Sequence, residues 1–342
     1  MTDERVWLRS YPEGVPADID ATQYDSLVSL MEESFSKFAD RTAYSYMGQD
    51  IGYLETDVKS QALAAYFQSL GLEKGDRVAI MMPNVPQYPV AVAAVLRAGL
   101  VVVNVNPLYT PRELAHQLID SGAKAIVIIE NFAVTLQKCL AETHLKHIVL
   151  CAMGDMLSMP KSALVNFVVR QVKGLVPEYQ LPGAVKFNRA LALGRQAVFV
   201  KPVVRSDDIA VLQYTGGTTG VSKGAVLLHQ NVIANLLQSE AWNDPVMQRV
   251  PAHEQPTSVC ALPLYHIFAF TVNMMLGLRT GGKNILIPNP RDLPAVLKEL
   301  AKHTFHSFPA VNTLFNGLAH HPDFDKVNWS NLKVSVGGGM AV

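Results

Sequence analysis

From Thr42 onward, short apolar runs alternate with amphipathic stretches of helical length, and few architectures satisfy that rhythm. Residues 42–47, 77–82, 100–105, 125–129 and 147–151 read as strands, and 56–70, 87–98, 111–121 and 134–143 read as helices between them. Strands this apolar must be covered on both faces. A helix between successive strands carries the chain back, so that the strands pair in parallel. The pattern predicts an α/β chain with doubly wound, mostly parallel sheets. An amphipathic helix over 25–38 precedes it, with Leu27, Leu30, Met31, Phe35 and Phe38 on one face and Asp25 or Ser26 as N-cap.

The alternation pauses across 158–206, where Pro160, Pro177, Pro182 and Gly183 bound a helical piece at 163–176. It resumes with strands at 209–214, 225–228, 258–262, 284–287, 305–308 and 333–336, and with helices at 231–242, 268–278, 293–303 and 311–320. Two α/β subdomains are expected, 1–157 and 207–342, with 158–206 as an insertion or linker. Within 163–176, Arg170 and Lys173 stand among Leu164, Val165, Phe167, Val168, Val169 and Val172. That mixture suits a membrane surface or an insertion packed on its own domain, and hydropathy favours packing.

Composition narrows the function. Of 342 residues, 49% are hydrophobic and 17% charged, below the roughly 25% charge usual in soluble domains, so a large core can form. Twenty-nine basic residues against 29 acidic ones leave no net charge to hold nucleic acid. Cys139, Cys151 and Cys260 are scattered without disulfide or zinc-ligand spacing, which fits a reducing cytoplasm. The first ten residues carry charges where a signal peptide needs an apolar core. Residues 88–105 are the greasiest stretch, but Arg97 and Gly99 interrupt it, so a buried helix and strand are expected rather than a membrane span.

The chemistry concentrates between Tyr214 and Ala225. Gly216, Gly217 and Gly220 permit backbone that turns amide N–H groups inward, Thr215, Thr218, Thr219 and Ser222 add hydroxyls, and Lys223 adds a cation, with Gly224 behind it. This is an anion cradle suited to polyphosphate. The bland alternative is a flexible glycine loop between strands. Gly220 to Gly224 also satisfies the G-x-S-x-G pattern of a hydrolase elbow at Ser222, but a strand rather than a helix follows it. Gly277 to Asn284 nearly matches a nucleotide-binding lysine loop, yet Asn284 stands where Ser or Thr belongs and a strand follows, so a helix end explains it better. His266 sits at the carboxyl end of a strand, where ligands of such sheets gather, although lone histidines are usually core or cap groups. Gly337, Gly338 and Gly339, followed by Met340, form another glycine turn at a strand's carboxyl end, and a chain ending inside such a turn reads as cut short.

The Tyr214 to Ala225 segment resembles the phosphate-binding signature of the adenylate-forming acyl-CoA synthetases and luciferases. The stretches 81–84, 87–89, 104–113, 261–266, 289–292, 311–315 and 337–340 are similar to the bacterial long-chain-fatty-acid-CoA ligases within that superfamily. The resemblance implies the large N-terminal domain of those enzymes, with the small C-terminal domain absent. It also implies a two-step reaction in which a long-chain fatty acid and ATP give acyl-AMP and pyrophosphate, after which the CoA thiol displaces AMP. By resemblance, Tyr214 to Gly220 and Ser222 to Gly224 hold the phosphates, Lys223 acts on the leaving pyrophosphate, and Thr218 or Thr219 helps bind Mg²⁺. His266 would orient the carboxylate, Phe270 would gate the acyl tunnel, and Gly337 to Met340 would wall the adenine and acyl chain. The resemblance further implies fatty acid, ATP and CoA as small-molecule partners, a cytoplasmic protein peripheral to the inner membrane, and room for an oligomer. Family segments that complete the ATP site lie beyond Met340, so weak nucleotide binding and negligible turnover are expected of this stretch alone. The alternatives are a non-catalytic lipid- or partner-binding fragment and, third, a serine hydrolase at Ser222.

Overall fold

The computed structural model describes residues 5–215 and 222–339. After two short 3-10 helices, Val6–Ser10 and Ala21–Gln23, comes the helix Leu27–Lys37, whose N-cap is Ser26, its hydroxyl accepting from Ser29 N. Strands β1 (Thr42–Tyr46) and β2 (Gln49–Gly52) then form an antiparallel hairpin. Its two turn residues, Met47 and Gly48, both have positive φ, as a tight hairpin turn requires. β2 was not expected, because only Ile51 of its four residues is buried and the segment shows no apolar run. The helix Tyr53–Ser69 follows, then β3 (Arg77–Met81), β4 (Val101–Asn104), β5 (Ala123–Ile129), β6 (His147–Cys151) and the short β7 (Val185–Lys186). A second hairpin joins β8 (Ile209–Thr215) to β9 (Lys223–Leu228). The strands β10 (Thr257–Cys260), β11 (Lys283–Leu286), β12 (Ser307–Ala310) and β13 (Val334–Gly337) complete the order.

The strands form two sheets, ordered β7-β6-β5-β3-β4-β8-β9 and β13-β12-β10-β11-β1-β2. All pairings are parallel except those of the two hairpins, which sit at one edge of each sheet. The positions 157 and 206 are not sheet boundaries: β1 and β2 lie in the sheet of the later strands, and β8 and β9 edge the sheet of the earlier ones. Residues 158–206 likewise supply β7 to the first sheet, and the helix Phe187–Gly194 packs closely on Tyr53–Ser69. A Cβ on Gly194 would lie 1.7 Å from the Ala62 carbonyl oxygen.

The helix Gln87–Arg97 is buried along its whole length in a core that draws on both sheets. Burying each of its Val90, Val92, Val95 and Leu96 side chains stabilises the fold by about 1.5–3 kcal/mol. Arg97 is tolerated there because its guanidinium pairs with Asp57, donates to Ser60 Oγ at 2.7 Å and lies over the Phe35 ring. No helix among the described residues is long and apolar enough to cross a membrane.

The helix expected at 163–176 is Lys161–Phe167, prolonged by a π-helical turn at Val168–Val172. Gly174, at φ +58°, stops it early. Arg170 holds this piece to the first sheet through a bidentate pair with the buried Glu130, at 2.9 and 2.8 Å. Strand β12 begins two residues later than expected and contains Pro309, a residue that argues against a strand in sequence but keeps its carbonyl for pairing.

Candidate active site

The carboxyl ends of β3, β4, β8, β10 and β13 converge, and buried amide side chains fix them to one another. Asn84, just past β3, donates to the carbonyls of Cys260 and Leu262 at 2.9 and 2.8 Å and accepts from Leu264 N at 2.8 Å. One side chain thus holds the whole turn that leads to His266. A second chain of bonds runs from Tyr88 OH to Asn104 Oδ1 (2.6 Å), from Asn104 Nδ2 to Gln213 Oε1 (3.0 Å) and from Gln213 Nε2 to the Tyr265 carbonyl (3.2 Å). The end of β8 and the His266 turn are therefore neighbours.

His266 is exposed and caps the helix that starts at Ile267, its Nδ1 accepting from Phe268 N at 3.2 Å. Partial burial lowers its pKa, so the ring is neutral near pH 7. With Nδ1 an acceptor, the proton sits on Nε2, which is left to donate to an oxygen outside. Gly338 belongs to the same corner: a Cβ there would stand 2.9 Å from the Phe268 ring, and its N–H donates to the Ala310 carbonyl. Gly339 has φ +81°, which favours glycine. Phe270, by contrast, is fully buried in the core, within the π-helical segment Phe270–Met275.

At the hairpin, Thr215 ends β8 opposite Lys223, and Tyr214 lies opposite Gly224. Gly224 is required there, since a Cβ would meet the Tyr214 ring at 2.9 Å. The Tyr214 hydroxyl donates to Asp120 Oδ2 at 2.5 Å. Burial and then the Asp120 carboxylate push the phenol well above its ordinary pKa, so it stays protonated. Lys223 is exposed at the mouth of the hairpin. Gly216, Gly217, Thr218, Thr219, Gly220 and Met340 lie outside the described residues.

Ser222 does not have the surroundings of a nucleophile. Its hydroxyl donates to the Thr215 carbonyl at 3.1 Å, and the nearby His116 Nε2 meets the Ser222 backbone carbonyl, at 3.1 Å, rather than the hydroxyl. Strand β9 follows it where a hydrolase elbow needs a helix. For Mg²⁺, the expected Thr218 and Thr219 fall outside the described residues, and no described group of three or more His, Cys, Asp or Glu could hold a metal ion.

Beside the His266 turn, the loops that follow strands of both sheets line a mostly apolar, open-sided pocket of about 920 Å³. Asn84, Leu108, Phe132, Tyr265, Arg291 and Val311 are among its walls. Asn104 and Gln213 escaped sequence reasoning. Their signal was a polar residue within or at the end of an otherwise apolar strand, which is costly unless paired.

The profile of a family described as AMP-binding enzyme matches residues 31–342. A long-chain-fatty-acid–CoA ligase of Yersinia pestis is 52% identical over 340 residues, which are 99% of this chain and 60% of that protein. The ligase of the same name from Escherichia coli O157:H7 matches equally, 52% over 340 residues with the same coverage. The chain thus spans about 60% of the length of these curated relatives. Among solved structures, the anthranilate CoA ligase AuaEII in complex with anthranoyl-AMP superposes with a TM-score of 0.78 at 18% identity, over 94% of this chain and 57% of that one.

Proposed function

The chain belongs to the AMP-binding enzyme family, and on that premise we propose that it forms the adenylating part of a long-chain-fatty-acid–CoA ligase. The reaction needs no protein nucleophile. A fatty carboxylate oxygen attacks the α-phosphorus of ATP, the bond to pyrophosphate breaks, and the CoA thiolate later displaces AMP from the acyl carbon. The protein's work is alignment and charge neutralisation. The observation that carries the reading is the joining of the Thr215–Lys223 mouth to the His266 turn through Gln213 and Tyr265. On this reading, Lys223 supplies the cation for pyrophosphate and His266 a neutral imidazole donor for a carboxylate or phosphate oxygen. Gly338 lets the Phe268 ring pack against the backbone that follows β13, and that strand end is assigned to the adenylate wall. Phe270 is assigned to the acyl tunnel as an element of its wall that must move to admit a chain, since it is fully buried. Mg²⁺ would travel with the triphosphate and offset its charge.

The test joins this chain at Val342 to the remaining C-terminal part of the Escherichia coli relative. We expect palmitate-dependent release of pyrophosphate from ATP, abolished by Lys223→Ala. Release of phosphate instead of pyrophosphate, or acyl-CoA formation that ignores ATP, overturns the assignment.

The exposed apolar side chains of Leu164, Phe167, Val172 and Leu175 favour a second element of the reading, contact with the cytoplasmic face of a membrane. Leu175 also lines the apolar cavity, so the surface and the cavity adjoin. Liposome flotation checks it: wild type should float with anionic vesicles and Phe167→Glu should not. Equal flotation of the two removes this helix from the account.

A further inference from the structure

We infer that His116 and Asp120 are positioning residues for the triphosphate hairpin, holding its two limbs from one face of the helix Pro111–Ser121. The inference rests on the reading of that hairpin as the phosphate site and adds two residues from another element. Four positions apart on a helix, the two side chains lie one turn above each other. Asp120 Oδ2 accepts from the Tyr214 hydroxyl at 2.5 Å, on the outgoing limb. His116 Nε2 stands 3.1 Å from the Ser222 carbonyl oxygen, on the returning limb. A carbonyl only accepts, so that nitrogen carries the proton.

Between these two contacts the limbs are also tied to each other. Ser222 Oγ donates to the Thr215 carbonyl, Thr215 is in register with Lys223, and the Tyr214 ring lies across Gly224. The support itself is firm. Its helix begins with a capping box between Thr110 and Glu113 and ends at Gly122 with φ +64°. Gln117, on the turn between the two residues, donates to the Asn104 carbonyl at 2.7 Å in the buried interior. The placement of the Lys223 backbone relative to β8 therefore depends on a helix that lies outside the hairpin.

Charge makes the claim testable. A carboxylate beside a polyanion site opposes the ligand electrostatically. If Asp120 acted by charge alone, its removal would tighten ATP binding; as a positioning residue acting through Tyr214, its removal must weaken it. Calorimetric titration of the fused full-length protein with MgATP, inorganic tripolyphosphate and AMP separates the two. Asp120→Ala and His116→Ala should each bind MgATP and tripolyphosphate about fivefold to tenfold more weakly, the size of one lost hydrogen bond. AMP affinity and melting temperature should hardly change, because Asp120 is exposed and His116 only partly buried. Asp120→Asn keeps an acceptor and should restore wild-type affinity. Tyr214→Phe should match Asp120→Ala, and the double variant should be no weaker than either. Tighter MgATP binding by Asp120→Ala, unchanged affinity in both alanine variants, or an equal loss for AMP overturns the inference. A fusion of wild-type sequence that binds AMP but neither MgATP nor tripolyphosphate overturns the assignment of the hairpin instead.

Discussion

At the scale of single residues, what matters is which hydrogen-bonding atom is left over. His266 spends Nδ1 on the Phe268 amide, and that choice alone makes Nε2 the outward donor. In the fused full-length protein, His266→Ala should lower adenylation about a hundredfold, the usual effect of deleting one preorganised donor. Its melting temperature should move little, since the ring is exposed. An unaltered rate of pyrophosphate release would reduce His266 to a helix cap. Lys223, His266 and the glycines were legible in the sequence because their residue types are unusual at the end of an apolar strand. Asp120 and His116 were not, because an acid and a histidine on an amphipathic helix look like any solvated face. The orientation of Tyr214, which gives both of them their meaning, is set by a cross-strand neighbour, Gly224.

At the scale of elements, close approach and burial dominate. Gly194 lets the helix Phe187–Gly194 meet the carbonyl of Ala62, and no relaxation of a side chain could accommodate a methyl 1.7 Å from backbone. Gly194→Ala should therefore destabilise the protein by about 1–3 kcal/mol, read as a lower urea midpoint. His229 offers a pH-dependent counterpart. It is 2% exposed, its Nδ1 accepts from Leu27 N at the start of the first long helix, and burial lowers its pKa from 6.5 to about 4. Between those values the unfolded ring takes up a proton that the folded ring refuses, so stability falls as pH drops through that window and levels off below it. The loss amounts to about 3 kcal/mol. His229→Gln should remove that part of the pH dependence between pH 6.5 and 4, and a curve identical to wild type would show that other groups cause it. Most helices and strands could be placed from periodicity, because a fully apolar strand or a one-sided helix has few other readings. Strands β2 and β7 could not, being short edge strands of four and two residues that bury little.

The whole molecule is organised by exchange. Each sheet takes its antiparallel hairpin from a stretch remote from its other strands, β1 and β2 joining the later strands and β8 and β9 the earlier ones, and periodicity carries no record of which sheet a strand enters. Asn84, like Gln213, ties the two layers together, satisfying three backbone groups of the β10 turn from its place after β3. Asn84→Ala would leave those buried groups without partners, costing about 3 kcal/mol or more and releasing the His266 turn. Hydrogen exchange should show faster exchange at Leu264, whose N–H bonds to Asn84. Protection equal to wild type would mean that packing alone holds the turn.

The same exchange has a consequence for biosynthesis. As the polypeptide leaves the ribosome, β1 has no partner in its own sheet but β2 until β11, at Lys283–Leu286, has been made, and the first sheet lacks its outer edge until Leu228 emerges. The first sheet has all its strands once Leu228 is made, whereas β1 and β2 wait for β11, so the early hairpin stays unpaired on one side through most of translation. Two genes split near residue 200 should yield halves that aggregate alone and assemble only when produced together.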